Sequence, residues 1–173
     1  MKKLRFSLAL ALILFVQLCW AQQPNSKWEK WNFLMGEWVG EGNGQPGKGG
    51  GYFSFNTDLD GNILVRKSHT EFPATSDKKA SVHDDLMYIY TDYTGNISKA
   101  IYFDNEGHVI NYSITYSENS IVLTSEAIQN APRFRLSYIV IDKDSVNVRF
   151  EFAPPSKPDD FKIYIEGKSV RKK

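Results

Sequence analysis

The sequence predicts an all-β fold, a ten-stranded antiparallel up-and-down barrel preceded by a short helix. Three observations predict it. From Gly36 onward apolar and polar residues alternate with period two, and turn-forming residues break the alternation at intervals of roughly 8 to 12 residues. No helix-length segment separates the later strands, so the parallel crossovers of an α/β fold have no room and successive hairpins remain. Ten strands in one sheet must then close on themselves or split into two layers, because long open edges invite pairing with other chains.

Across residues 27–35, Trp28, Trp31 and Leu34 recur every third position, which predicts one or two helical turns that Gly36 ends. Strands are expected over 37–42, 51–58, 62–72, 85–91, 98–103, 108–116, 120–126, 133–141, 145–152 and 161–171. Asp60-Gly61-Asn62 and Thr94-Gly95-Asn96 offer the positive-φ residues of tight hairpins, and Asp104-Asn105-Glu106-Gly107 and Asp142-Lys143-Asp144 fit type I turns. Glu118-Asn119 closes one more. Three connections are longer: the glycine-rich 43–50, the polar 73–82 and the proline-rich 154–160, the expected rim or lid.

Face polarity favours a barrel over a sandwich. In the eighth and ninth strands Phe134, Leu136, Tyr138 and Val140 oppose Arg133, Arg135 and Ser137, and Val146, Val148, Phe150 and Phe152 oppose Asn147, Arg149 and Glu151; both read as ordinary core. The third strand has no clean face, since Leu64, Arg66, Ser68, Thr70 and Phe72 alternate with Ile63, Val65, Lys67, His69 and Glu71. Tyr88, Tyr90, Tyr102, Tyr112 and Tyr116 fall near inward positions of the fourth to sixth strands. A sandwich interior is dry throughout, whereas tyrosines with one arginine suit a barrel packed on one side and hollow on the other.

Lys2, Lys3 and Arg5 precede the apolar run 8–16, and Cys19 and Ala21 are the small residues that a signal peptidase reads, so 1–21 is expected to be a secretory signal cleaved after Ala21. The run is too short for the about 20 apolar residues of a membrane span. The remainder, 22–173, is expected to be one β-barrel domain, periplasmic or secreted, without membrane insertion. A lipoprotein anchor at Cys19 is the lesser reading, because Leu18 is bulky where that signal takes a small residue. Cleavage removes the only thiol, and with it any disulfide, thiolate ligand or cysteine nucleophile. The whole chain carries 21 Lys and Arg against 20 Asp and Glu; without the three leader cations, 18 face 20 with no basic run. That balance excludes a nucleic-acid binder held by phosphate contacts and a binder of anionic membranes.

The segment Phe33-Leu34-Met35-Gly36-Glu37-Trp38-Val39-Gly40-Glu41-Gly42 runs a short helix into a Gly-x-Trp first strand. It resembles the opening of calycins, the superfamily of lipocalins and fatty-acid-binding proteins, and most of all the lipocalin-like bacterial families of unknown function and the related nitrobindins. There a Leu-x-Gly-x-Trp-x-Gly-x-Gly pattern opens a ten-stranded barrel. The resemblance implies that the helix caps the barrel and that Gly36 leads into Trp38 across its closed end. It also implies that Arg171, in the closing Ser169-Val170-Arg171-Lys172, packs on that ring, a cation–π contact worth about 0.5 to 2 kcal/mol. Nitrobindins hold haem through a histidine near the C-terminal strands. Residues 161–173 and the eighth and ninth strands contain no histidine, so neither haem nor another cofactor is expected.

The remaining chemistry points to binding. His69 reads as an exposed strand residue, and the adjacent His83, Asp84 and Asp85 alternate faces on an extended chain, so no metal is expected there. The glycine-rich 40–51 is not followed by a helix that could aim its N-terminus at a phosphate. No nucleophile with a base and no spaced carboxylate pair stands out. The expectation is a small hydrophobic or amphipathic molecule in the barrel cavity, lined by Arg66, Tyr88, Tyr90, Tyr102 and Tyr112, with Arg66 meeting an anionic head group. The alternatives are an isomerase or lyase that moves a proton with a tyrosine or histidine in the same cavity, and a structural domain with a filled barrel.

Overall fold

The period-two segments form ten strands, and pairing of the first with the last turns the sheet into a tube. The computed structural model describes residues 26–42, 50–76 and 78–173. Its strands are β1 (Gly36–Gly40), β2 (Tyr52–Asp58), β3 (Ile63–Phe72), β4 (Ser81–Thr91), β5 (Ile97–Asp104), β6 (Val109–Tyr116), β7 (Ser120–Ser125), β8 (Arg133–Asp142), β9 (Ser145–Ala153) and β10 (Lys162–Arg171). Consecutive strands pair antiparallel in chain order, and β1 closes on β10 through Trp38 opposite Arg171, Val39 opposite Val170 and Gly40 opposite Ser169. The all-β, closed, ten-stranded antiparallel meander expected from the sequence is the architecture. The leader 1–21 with Cys19, and residues 43–49 of the glycine-rich connection, lie outside the described residues.

The chain divides into two compact units, Met1–Asn32 and Phe33–Lys173, and the barrel belongs to the second. The helical segment Ser26–Leu34 is of 3-10 type, with a kink at Trp28 (φ −101°, ψ 18°). A 3-10 helix repeats every three residues, which accounts for the spacing of Trp28, Trp31 and Leu34; each is fully buried.

One strand departs from expectation. β4 begins at Ser81 rather than at Asp85, because the long β3 offers pairing partners as far as Phe72: Thr70 faces His83, Glu71 faces Val82 and Phe72 faces Ser81. His83 and Asp84, which precede the strand expected from the sequence, are strand in the fold, and the side chains of His83, Asp84 and Asp85 find partners on β3 and β5.

Antiparallel order sorts the connections by end. The turns at 59–62, 92–96, 117–119 and 143–144 share one end, and the connections 73–80, 105–108, 126–132 and 154–161 share the other. At the first, closed end, the bore is filled by Trp38, Phe55, Leu64, Ile89, Leu123 and Val146, none more than 1% exposed. The Arg171 guanidinium stands 4.5 Å from the Trp38 ring centroid and donates to the carbonyls of Met35 (2.5 Å) and Phe33 (2.8 Å), while Trp38 Nε1 donates to the Leu34 carbonyl (2.8 Å). Gly36, at φ +97°, makes the left-handed turn into β1. Toward the second end, Gly51 (φ +79°) lets β2 start close against β3, where a Cβ would meet the His69 carbonyl oxygen at 2.0 Å.

Candidate binding site at the open end

Strand register decides which side chains share the bore. Arg66 on β3, Met87 on β4 and Tyr102 on β5 lie opposite one another, and Ser68, Asp85 and Asp104 form the next row toward the open end. Arg66 Nη1 donates to Asp85 Oδ1, with both side chains nine-tenths buried or more. The guanidinium lies 5.4 Å from the Phe53 ring centroid. Burial is the strongest influence and works against its charge, yet Asp85 together with Tyr138, Tyr102 and Tyr112 outweighs it and raises the Arg66 pKa above its ordinary value.

Around this pair sit three tyrosines. Tyr112 and Tyr138 are fully buried, and Tyr102 is half-buried. Burial pushes all three hydroxyls well above their ordinary range, and the Asp85 carboxylate pushes the same way against the opposing Arg66 charge. Among the described residues, Arg66 Nε and the Tyr138 hydroxyl are buried without a partner in good hydrogen-bond geometry; the hydroxyl lies near enough to the Arg66 guanidinium for that charge to act on it, but not in the alignment of a full hydrogen bond. An unmet polar group of this kind costs about 1 to 3 kcal/mol.

From the pair, hydrogen bonds run along the wall of β4 and β5 to the rim. His83 Nε2 lies 2.9 Å from the Tyr102 hydroxyl and 3.9 Å from Asp85 Oδ2. Tyr102 donates to Asp104 Oδ2 (3.2 Å), which His108 Nδ1 meets at 2.8 Å. His83 Nδ1 lies 3.3 Å from Glu106 Oε1. Alternation sends the intervening Asp84 outward, where it holds His69 Nδ1 at 2.7 Å. Asp84 and then Glu71 raise the His69 pKa, and its ring stacks on Tyr52 at 5.0 Å. Among the described residues no group of three or more His, Cys, Asp and Glu has the geometry to hold a metal.

The opposite wall is aromatic. Phe134 and Phe150 stack at 5.7 Å, Phe152 leans on Phe134 at 6.0 Å, and Tyr164 meets Phe150 edge-on at 6.3 Å. Their rows are inward: Phe134 precedes the buried Leu136 and Tyr138, and Phe150 and Phe152 lie opposite Leu136 and Phe134. Yet Phe134 and Phe150 are only part-buried and Phe152 is 37% exposed, while Glu151 on the other face is 5% exposed. The clean alternation of β8 and β9 that reads as ordinary core therefore leaves its outermost inward rings part-exposed toward this end. Their charged face is covered instead: Arg135 makes a two-pronged pair with Glu151 (2.7 and 2.6 Å) and lies 4.3 Å from the Phe161 ring centroid.

The structure divides the residues that the sequence proposed as cavity lining. Arg66, Tyr102 and Tyr112 come together in the bore. Tyr88 and Tyr90 do not join them: they alternate with the fully buried Met87 and Ile89, and Tyr88 packs edge-on against Phe103 on the outer face. The inward partners that sequence reasoning passed over are Asp85, His83, Asp104 and Tyr138. A signal existed for Asp85, which keeps the parity of Met87 and Ile89. A depression of about 550 Å³ also lies against β2 to β5, lined by Tyr52, Lys67, His69 and Leu86 of the outer face and by Ser68, Asp85 and Asp104 of the inward row.

Comparison with known proteins adds no name to this geometry: no protein-family model matches the chain, and no curated protein matches it.

Proposed function

We propose that this is an exported, lipocalin-like binding protein that holds a small amphipathic molecule in the open end of its barrel and performs no covalent chemistry. One observation carries the reading. The inward aromatic side chains Phe134, Phe150 and Phe152 are left part-exposed across the bore from the polar wall of Tyr102, His83 and Asp85. Apolar surface that faces inward and meets no side chain gains about 25 cal/mol per Å² when a ligand covers it, and a few placed polar groups then fix the ligand's orientation. The closing Trp38–Arg171 contact and the ten-stranded order are in keeping with the calycin resemblance. Export rests on the leader sequence alone.

Binding is preferred over proton-transfer catalysis for an electrostatic reason. A tyrosine base needs its pKa drawn down toward neutrality, and burial drives Tyr102, Tyr112 and Tyr138 the other way. These hydroxyls keep their protons and serve as hydrogen-bond partners.

The test is native mass spectrometry of the protein purified from its own host, together with titration of a neutral fluorescent probe, phenylnaphthylamine. A co-purified small molecule, or saturable probe binding that Phe150→Ser weakens about tenfold or more, is the expected outcome. A bare protein with no saturable site rejects the reading and favours a purely structural barrel.

A further inference from the structure

We infer that the head group taken by this site is uncharged, a hydroxyl above all, and that the barrel discriminates against carboxylates. The inference rests on the binding reading above and names the ligand class within it. At the open end, among the described residues, the inward-row arginine and lysine are both spent: Arg66 Nη1 is bound to Asp85, and Lys162, in register with Phe152, meets Asp160 at 2.8 Å. Asp104, whose side chain is 3% exposed, adds a second carboxylate one strand away, in register with Asp85. Glu106 stands at the rim beside His83 and His108. Toward the same end, Arg133 and Arg135 are each tied to a carboxylate, Asp159 at 2.6 Å and Glu151 at 2.6 Å, and lie on the outer face. Among the described residues, then, an entering carboxylate meets no inward arginine or lysine free of a carboxylate partner, and it meets the buried Asp104 carboxylate, whose repulsion is strong in surroundings of low dielectric, with the exposed Glu106 at the rim.

The unmet hydrogen bonds point to the same class. Arg66 Nε is a donor and requires an acceptor oxygen; the Tyr138 hydroxyl, beside the guanidinium, can give or take a proton. A hydroxyl supplies lone pairs to the first and a proton to a carboxylate or phenol oxygen nearby. An ammonium has no lone pair for Arg66 Nε, so the excess of negative charge alone does not make an amine the better match.

The experiment compares three probes that share one alkyl chain, decanol, decanoate and decylamine, each displacing phenylnaphthylamine from the wild-type protein at about pH 8, where the acid is ionised and the amine charged. Decanol is expected to compete at concentrations about tenfold below the other two. Replacing Asp85→Asn, which frees the Arg66 charge, is expected to improve decanoate about tenfold relative to decanol. Decanoate or decylamine matching decanol in the wild type overturns the inference while leaving the binding reading intact, and that comparison decides even if Asp85→Asn does not fold. A decanoate affinity that Asp85→Asn leaves unchanged in a folded protein overturns it as well. Failure of all three to displace the probe rejects the alkyl ligand and this head group with it, while the probe's own saturable binding still reports on the site.

Discussion

The two ends of the barrel use the same strands for opposite purposes. At the closed end Trp38, Phe55 and Val146 fill the bore, and Arg171 is spent on a ring face and two backbone carbonyls. At the open end inward positions hold Arg66, Asp85, His83 and Tyr102, and the apolar ones opposite are left uncovered. Packing specifies one arrangement through shape, and a buried polar cluster does so only where each member finds a partner. The difference teaches that one tube can be closed by packing at one end while carrying a buried polar cluster and part-exposed rings at the other.

Substitution can break this contrast. The largest effect is expected from Arg66→Ala, which strands the Asp85 carboxylate in the bore and should cost about 3 to 5 kcal/mol in urea unfolding. The joint change Arg66→Met with Asp85→Leu should recover most of that stability while abolishing probe binding. A joint variant as unstable as Arg66→Ala would make the pair part of the scaffold rather than of the site. Next comes Arg171→Ala, which loses a cation–π contact and two hydrogen bonds to carbonyls; about 1 to 3 kcal/mol should disappear from thermal unfolding, with probe affinity unchanged. An unaltered melting temperature would remove Arg171 from the closing of the barrel.

The smallest effect separates the ends by pH. In the turn between β4 and β5 at the closed end, hydrogen bonds from Ser98 and Thr94 hold the Asp92 carboxyl down to about 2 from its ordinary 3.8. A depressed folded value means that its contribution is complete above about pH 4 and is lost as pH falls through about 2. His69, on the outer face toward the open end, is raised by Asp84 and Glu71, so its contribution is complete below its ordinary 6.5 and is lost as pH climbs through the higher folded value. Asp92→Asn should flatten only the acid limb of melting temperature against pH, and His69→Gln only the limb above neutrality. Both limbs moving together in either variant would mean that the two groups are coupled.

The fold was legible because its signals are local. Turn chemistry at Asp60-Gly61 and Thr94-Gly95 sets the hairpins, with positive φ at Asp60, Gly61 and Gly95, and period two sets the strands. Arg66, Tyr102 and Tyr112 were legible as a group because an arginine and tyrosines in inward rows are hard to place elsewhere. Tyr88 and Tyr90 were misread because strand parity fixes which residues share a face and leaves open which face is inside; only register with Met87 and Arg66 settles that. Asp85 was passed over because it stands at the first position of the expected strand, beside the polar His83-Asp84, and its ion pair joins positions nineteen residues apart. The partial exposure of Phe150 and Phe152 was illegible in principle, because alternation reports sidedness and carries no information on whether the inner side is covered.

The seam between β1 and β10 sets a condition on how the tube is made. Trp38 and Arg171 are neighbours in space, 4.5 Å from guanidinium to ring, yet almost the entire barrel lies between them in the chain. Local hairpins can form within microseconds, whereas contacts of such long range are formed slowly. Until the last strand arrives, β1 and β9 each present a bare row of amides and carbonyls to any other strand that passes. The interval before closure is therefore when this protein is most exposed to association with its own copies, and its folding yield should depend on concentration more steeply than its finished stability does.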